Sequence, residues 1–242
     1  MLFLIGLGLN EKGISLEGME ILKNCEKVYL ENYTVNFPYS FDELENVIGK
    51  KLINADRDLV ESNRIIPEAK NENVALLVYG SPLTATTHIS LIEEAKKQRV
   101  EYKIIYAVSV FDGIAETGLQ IYKFGKIASM PMWKESFKPT SFADIVKENQ
   151  SINAHSLILI DIGLELKDAI NELQEALKEK EIQTEKILVC SGLGTENKKI
   201  IHDKIENFKN ININKPYCII IPGKLHFFEE EVLKNLPENQ HL

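Results

Sequence analysis

Short apolar runs alternate along this chain with helix-length amphipathic segments. The first run, Met1-Leu2-Phe3-Leu4-Ile5, ends in Gly6-Leu7-Gly8. Leu2–Ile5 therefore reads as a buried strand that breaks into two glycines ahead of a helix, a junction where backbone can approach a small ligand closely. The helix runs from Ser15 to Asn24, with Leu16, Met19 and Leu22 on one face, and Lys27–Leu30 is a second strand. Ser40-Phe41-Asp42-Glu43 has capping-box spacing, and Leu44, Val47 and Ile48 continue a helix behind it. Leu52–Ala55 is a short strand, and residues from Glu61 to Asn71 read as a further helix. Val74–Val78 is the near-continuous apolar run expected of a central parallel strand. A turn at Tyr79-Gly80-Ser81-Pro82 leads into a helix from about Thr86 to Lys97, and Lys103–Tyr106 is the next strand. The alternation predicts an α/β fold with a parallel sheet and helices on its faces.

The second half reads as a looser version of the first. Phe111 to Tyr122 is expected to be helical despite Gly113 and Gly118. Lys126–Met130 is strand-like, Ser141 caps a helix to Asn149, and His155–Ile162 is a strong strand. Asp168 to Lys180 is amphipathic, with Ala169, Leu173, Ala176 and Leu177 facing inward. A strand at Ile187–Cys190, a helix across Asn197–Phe208 and a strand at Tyr217–Ile221 complete the reading. The boundary falls near 107–112, giving an N-terminal domain of 1–110 and a C-terminal domain of 111–242.

In an open parallel sheet, ligands bind beyond the C-terminal ends of the strands. Three first-half strands end in small or polar residues: Gly6-Leu7-Gly8-Leu9-Asn10, Gly80 through His88, and Ala107-Val108-Ser109-Val110. These loops are expected side by side on one edge. The second half adds Ile160-Asp161, Ser191-Gly192-Leu193-Gly194 and Pro222-Gly223-Lys224-Leu225-His226. A dinucleotide fingerprint would need a third glycine at position 11. Glu11 stands there instead and would face a pyrophosphate with negative charge. The chain also lacks the G-K-[ST] of a phosphate loop and the G-x-S-x-G of a nucleophile elbow. His88 and His226 are conceivable bases; hydrogen bonding to a loop is the plainer role for each.

Composition narrows the classes. Of 242 residues, 44% are hydrophobic, ample for a core, and the formal charge of −8 argues against a broad grip on nucleic acid. The opening run is too short for a signal peptide and no stretch approaches a membrane span, so the expectation is a soluble, cytoplasmic protein without membrane or nucleic-acid partners. The three cysteines, Cys25, Cys190 and Cys218, form no C-x-x-C pair and read as reduced, buried thiols, with no metal site.

Several segments together resemble a known family: L-I-G-L-G-L at the start, G-x-P-L-x-A-T-T-H at 80–88, G-L-Q-I-Y-K-F-G at 118–125, P-T-S-F at 139–142 and P-G-K-L-H at 222–226. They look like the diphthine synthase family of the tetrapyrrole-methylase superfamily, over Met1 to about Leu236. The first two motifs are shared across the superfamily; Y-K-F-G, P-T-S and G-K-L-H are more specific.

The resemblance implies two α/β domains with the cofactor in the cleft between them, usually in a homodimer. It implies S-adenosylmethionine as methyl donor, S-adenosylhomocysteine as product, and translation elongation factor 2 as substrate, methylated on the amino nitrogen of a modified histidine. Carried over, the cofactor contacts are Leu9, Ser81, Thr84, Ser109 and Val110, then Ile160, Ser191 and Tyr217; any proton acceptor is water or His88. Two positions depart from the family pattern: Ser81 stands where G-D-P has aspartate, and Gly192 stands where A-R-A-G has arginine. The rival readings are a cousin acting on a corrinoid or ribosomal RNA, and a module that binds the cofactor without transferring its methyl.

Overall fold

The computed structural model describes residues 1–236. The chain divides into two compact units, Met1–Gly113 and Ile114–Leu242. In the first, β1 (Leu2–Gly6), α1 (Leu16–Lys23), β2 (Lys27–Glu31), α2 (Phe41–Ile48), β3 (Ile53–Ala55), α3 (Arg57–Glu61), α4 (Ile65–Glu68), β4 (Val74–Val78), α5 (Ile89–Lys97), β5 (Tyr102–Ile105) and α6 (Val110–Gly113) follow in order. The strands form one sheet in the order β3-β2-β4-β1-β5, every pairing parallel.

Alternation along each strand divides its side chains between two cores. Leu2, Leu4, Val74, Leu76 and Val78 pack with Leu91, Ile92 and Ala95 of α5. Ile5, Val28, Leu30, Ala75 and Leu77 pack with Leu22 of α1 and Leu44 and Ile48 of α2. Burial on both faces is why these strands read as continuous apolar runs. Ser40 caps α2 in the expected box, its hydroxyl accepting from Glu43 N–H while Glu43 accepts from Ser40 N–H.

Several expectations need correction here. Leu16 is exposed, whereas Leu22 is buried as expected, together with Gly18. The single helix expected over 61–71 is two short ones, α3 and α4, separated where Asn63 takes a left-handed φ of 59°. The helix expected from about Thr86 begins at Ile89, after a turn in which Ala85 takes a φ of 54°.

The second unit holds β6 (Ala128–Met130), α7 (Ser141–Ser151), β7 (Ser156–Ile160), α8 (Leu166–Glu179), β8 (Lys186–Ser191), β9 (Lys199–Lys204), β10 (Tyr217–Ile221) and α9 (Phe227–Lys234). Its sheet runs β6-β7-β10-β8-β9. Only β6 and β7 pair in parallel; β10 is antiparallel to both neighbours, as β9 is to β8. Phe142, Ala143 and Val146 of α7 and Ala169, Ile170, Leu173, Ala176 and Leu177 of α8 close one face over Ile158, Val189, Ile201 and Ile219.

This unit departs from the reading of a second parallel sheet. The helix expected across 197–208 is β9 followed by a 3-10 turn, Ile205–Asn210. In β9 burial alternates, with Ile201 and Asp203 inside, and a tight turn through Gly192 and Gly194 returns the chain against β8. The helix expected from Phe111 to Tyr122 breaks into α6 and two 3-10 turns, Ile114–Thr117 and Ile121–Lys123. Gly118 has φ 79°, outside any helix, and a Cβ there would lie 2.3 Å from Val232 Cγ1. Ser141 does not cap α7; it is the first helical residue, after Thr140.

A buried polar cluster ties the 118–125 and 222–226 segments together. Glu229 and His155 are fully buried. Glu229 Oε1 accepts from Gln120 N–H at 2.9 Å, and its Oε2 accepts from His226 N–H at 2.7 Å and from Lys123 Nζ. His155 Nδ1 accepts from Gly223 N–H at 2.9 Å, so the ring proton sits on Nε2 and donates to Glu229 Oε1 at 3.1 Å. Burial alone would raise the Glu229 carboxyl, but these donors outweigh it and hold it at about 2. Burial pushes the His155 imidazole down, against the pull of Glu229.

The sign of the pH dependence follows. Glu229 titrates lower in the native chain than in the unfolded one, at about 4.3, so its contribution is present above that pH and is lost as the pH falls toward 2. His155 is held neutral, so uptake of a proton on unfolding weakens the fold below about pH 6.5. Chemical denaturation should therefore show a midpoint that falls steadily from pH 7 to pH 4. Glu229→Gln should lower the midpoint at pH 7 and flatten the profile below pH 5. A parallel, uniformly displaced profile would contradict this account.

Candidate functional site

In the first unit the neighbouring strands β4, β1 and β5 deliver their C-terminal loops to one sheet edge, as the strand pattern predicts. Past β1 and β4, Gly8 and Gly80 exchange backbone hydrogen bonds, Gly8 N–H to Gly80 O at 3.1 Å and Gly80 N–H to Gly8 O at 2.9 Å. Both hold φ near +70°, which side-chain-bearing residues rarely adopt. A Cβ on Gly6 would lie 2.6 Å from Gly80 O and 2.8 Å from Ala107 Cβ. The three loops thus meet closely at Gly6, with no room for a Cβ, while Gly80 leaves a shallow cradle where a Cβ would meet nothing nearer than 3.8 Å.

The candidate residues of this unit line these loops. Leu9 is buried, and its carbonyl accepts from Tyr79 Oη at 3.1 Å. Ser81 O accepts from Thr84 N–H at 3.1 Å, closing the turn, while the Ser81 hydroxyl forms no hydrogen bond among the described residues. Ser109 initiates α6: its hydroxyl donates to Asp112 Oδ2 at 3.0 Å and accepts from Phe111 N–H at 3.2 Å, and Val110 is the first helical residue. Gly80 lies against this loop, with a Cβ position 3.8 Å from Ser109 Cα.

His88 is buried directly behind the Gly80 turn. Its Nδ1 faces Pro82 O at 3.2 Å, and since a carbonyl only accepts, Nδ1 carries the proton. Among the described residues Nε2 has no hydrogen-bond partner. Burial pushes the imidazole down against the nearby Glu31 carboxylate, leaving a neutral ring that fixes the turn.

In the second unit the antiparallel course of β10 brings the remaining three candidates to one edge. Tyr217 pairs with Ser191, and the next residue, Cys218, pairs with Leu159 beside Ile160. The polar tips of two are already engaged: Ser191 Oγ donates to Asn214 O at 2.5 Å, and Tyr217 Oη donates to Leu164 O at 3.0 Å. What they present to a ligand is backbone and apolar surface. Asp161 follows Ile160 and accepts from Met132 and Ile162 N–H. By the same reversal, Pro222–His226 leaves β10 at the opposite edge, so its expected place beside Ile160 and Ser191 is corrected.

The tetrapyrrole (corrin/porphyrin) methylase family model matches residues 1–209. The diphthine synthase of Methanocaldococcus jannaschii is 38% identical over 256 residues, covering 99% of this chain and 100% of that protein. The chain belongs to the tetrapyrrole methylases, in their diphthine synthase branch. The diphthine methyl ester synthase of Candida glabrata is 35% identical over 271 residues, covering 99% of this chain and 91% of that protein. A crystal structure of diphthine synthase superposes with a TM-score of 0.88 at 31% identity, over 97% of this chain and 95% of that one.

Within the branch, the departure at Gly192 has a local cause. Its φ is +57°, and its carbonyl accepts from both Thr195 N–H and Thr195 Oγ1, at 3.0 and 2.7 Å. A side chain there would be strained, so this turn is built around glycine. Reading the sequence missed Gly13, because it lies outside G-x-G-x-x-G spacing. A Cβ on Gly13 would fall 2.6 Å from Leu7 O and 3.1 Å from Gly8 Cα, so this third glycine folds the 8–13 loop onto itself.

The close meeting at Gly6 makes a direct prediction. Gly6→Val drives a branched side chain into Gly80 O and Ala107, neither able to yield without moving a strand end. It should destabilise the fold by about 1–3 kcal/mol in chemical denaturation. An unchanged midpoint would mean that the strand ends part without cost.

Proposed function

We propose that this protein transfers methyl groups from S-adenosylmethionine to the amino nitrogen of the modified histidine on translation elongation factor 2. It does so in the cytoplasm as a homodimer, without nucleic-acid or membrane partners. The observation that carries this reading is the full-length likeness to diphthine synthases. The cradle at Gly80 fits the donor, since a Cβ position there meets nothing nearer than 3.8 Å and the backbone is left bare. Leu9, Ser81, Thr84, Ser109 and Val110 would hold the donor from the first unit. Ile160, Ser191 and Tyr217 would hold it from the second.

When bound, the donor supplies an electrophilic methyl on a sulfonium. The chain's part is to hold, align and keep dry. An α-amino group titrates near 8, so a useful fraction is already neutral at pH 7 and no strong base is needed. Fixing nucleophile and methyl about 3 Å apart in line removes most of the entropic barrier. His88 serves by fixing the Pro82 turn, and the proton released by the amine passes to water.

Incubating precursor-bearing elongation factor 2 with the protein and S-adenosylmethionine should add one to three methyl mass increments. Donor binding without any increment would move the acceptor elsewhere. Absence of calorimetric binding up to about millimolar donor would end the methyltransferase reading.

Ser81 offers a finer check. Its hydroxyl is uncommitted, so Ser81→Asp should place a carboxylate against a cationic ligand and tighten donor binding about five-fold. Unchanged affinity in calorimetry would assign the contact at this position to backbone.

A further inference from the structure

A depression of about 510 Å³ opens on the second unit, away from the edge that carries Ile160, Ser191 and Tyr217. Its walls are the 3-10 turn around Tyr122, the end of α7 at Ile152, and Lys224, Leu225 and His226 beyond β10. At about 3.3 Å per residue, the five-residue β10 sets the two edges roughly 15 Å apart. The floor is rigid: it rests on the Glu229, His155 and Lys123 cluster, and Lys123 Nζ also donates to Lys224 O at 2.8 Å.

The rim is unusually apolar for exposed surface. Tyr122 is 82% exposed and Ile152 67%, and Phe227, 73% exposed, sets its ring against that of the lining His226. The charge of the lining opposes that of the chain. In a protein of net charge −8, the charged side chains lining the depression are Lys123, neutralised by Glu229, and Lys224. His226 Nδ1 accepts from Phe228 N–H, which leaves Nε2–H as an outward donor. Glu230 and Glu231 of α9 lie outside the lining.

We propose that this depression docks an acidic surface segment of the protein substrate at a distance from the methyl-transfer centre. An apolar side chain of that segment anchors between Tyr122 and Ile152, and its carboxylate meets Lys224 Nζ and His226 Nε2–H. The proposal rests on the reading above of elongation factor 2 as acceptor.

The test compares wild type with Lys224→Glu and Tyr122→Ala, both exposed positions outside the transfer site, using precursor-bearing elongation factor 2. Each variant should raise KM for the factor about ten-fold, with kcat at saturation and the calorimetric Kd for S-adenosylmethionine unchanged. Added salt should raise the wild-type KM and affect Lys224→Glu little. If wild type methylates the factor and both variants keep its KM, the docking proposal falls while the function stands. A change in sedimentation mass of the variants would instead assign the surface to contact between copies and overturn the proposal. If wild type leaves the factor unmethylated, the functional reading fails and the docking proposal with it.

Discussion

The close meeting of β1 and β4 at their C-terminal ends constrains the candidate site of the first unit. Gly8 and Gly80 exchange backbone hydrogen bonds past the sheet, both in a left-handed conformation that favours glycine, and beside them Gly6 has no room for a Cβ against Gly80 O. Gly6 extends the same condition to Ala107, and through it to the loop that carries Ser109. The surroundings serve this contact. Burial on both faces holds the strands in register, α1, α2 and α5 supply that burial, and His88 secures the Gly80 turn through Pro82 O. A ligand at this edge meets backbone first. That suits a donor without phosphates, and the Asp112 carboxylate is tied into its loop by Ser109 N–H and Oγ.

The second unit reaches a similar result by different topology. A parallel sheet gathers strand ends; an antiparallel strand gathers one end with its neighbours' beginnings. Because β10 runs against β7 and β8, its first residue, Tyr217, joins Ile160 and Ser191, and its far end carries Pro222–His226 away. One strand thereby separates two sets of residues that a parallel sheet would have crowded together. The buried Glu229 then fixes the far set, since it bonds Gln120, Lys123, His155 and His226 at once.

These two units also explain what the sequence could reveal. The first unit was readable because β1 and β4 are buried runs whose ends are marked by glycine. Parallel order then follows from the helices between the strands. The second unit hid its order for physical reasons. Ile200, Ile201, Ile205 and Phe208 suit a helical face as well as a strand followed by a 3-10 turn. Strand direction is not written in local pattern at all; it is set by the long connection between Lys204 and Tyr217. The Glu229 cluster joins residues up to 109 positions apart, so no spacing announces it. Gly13 escaped because its role is steric, against Gly8, rather than part of a spaced motif.

Methyl transfer asks little of side chains, and the candidate site reflects this. Ser191 and Tyr217 direct their hydroxyls to carbonyls of their own unit, and Ser109 directs its hydroxyl to Asp112. They act by shaping loops, so their identity matters through geometry more than through acid–base chemistry. Gly192 belongs to the same logic: its left-handed turn, closed by Thr195, is incompatible with an unstrained arginine. Uncommitted polar groups remain at Ser81 within the candidate site, and at Lys224 and His226 across the second sheet. In a transferase whose chemistry is supplied largely by alignment, selectivity has to come from surfaces remote from the reacting atoms, and the second unit carries one on the far side of β10.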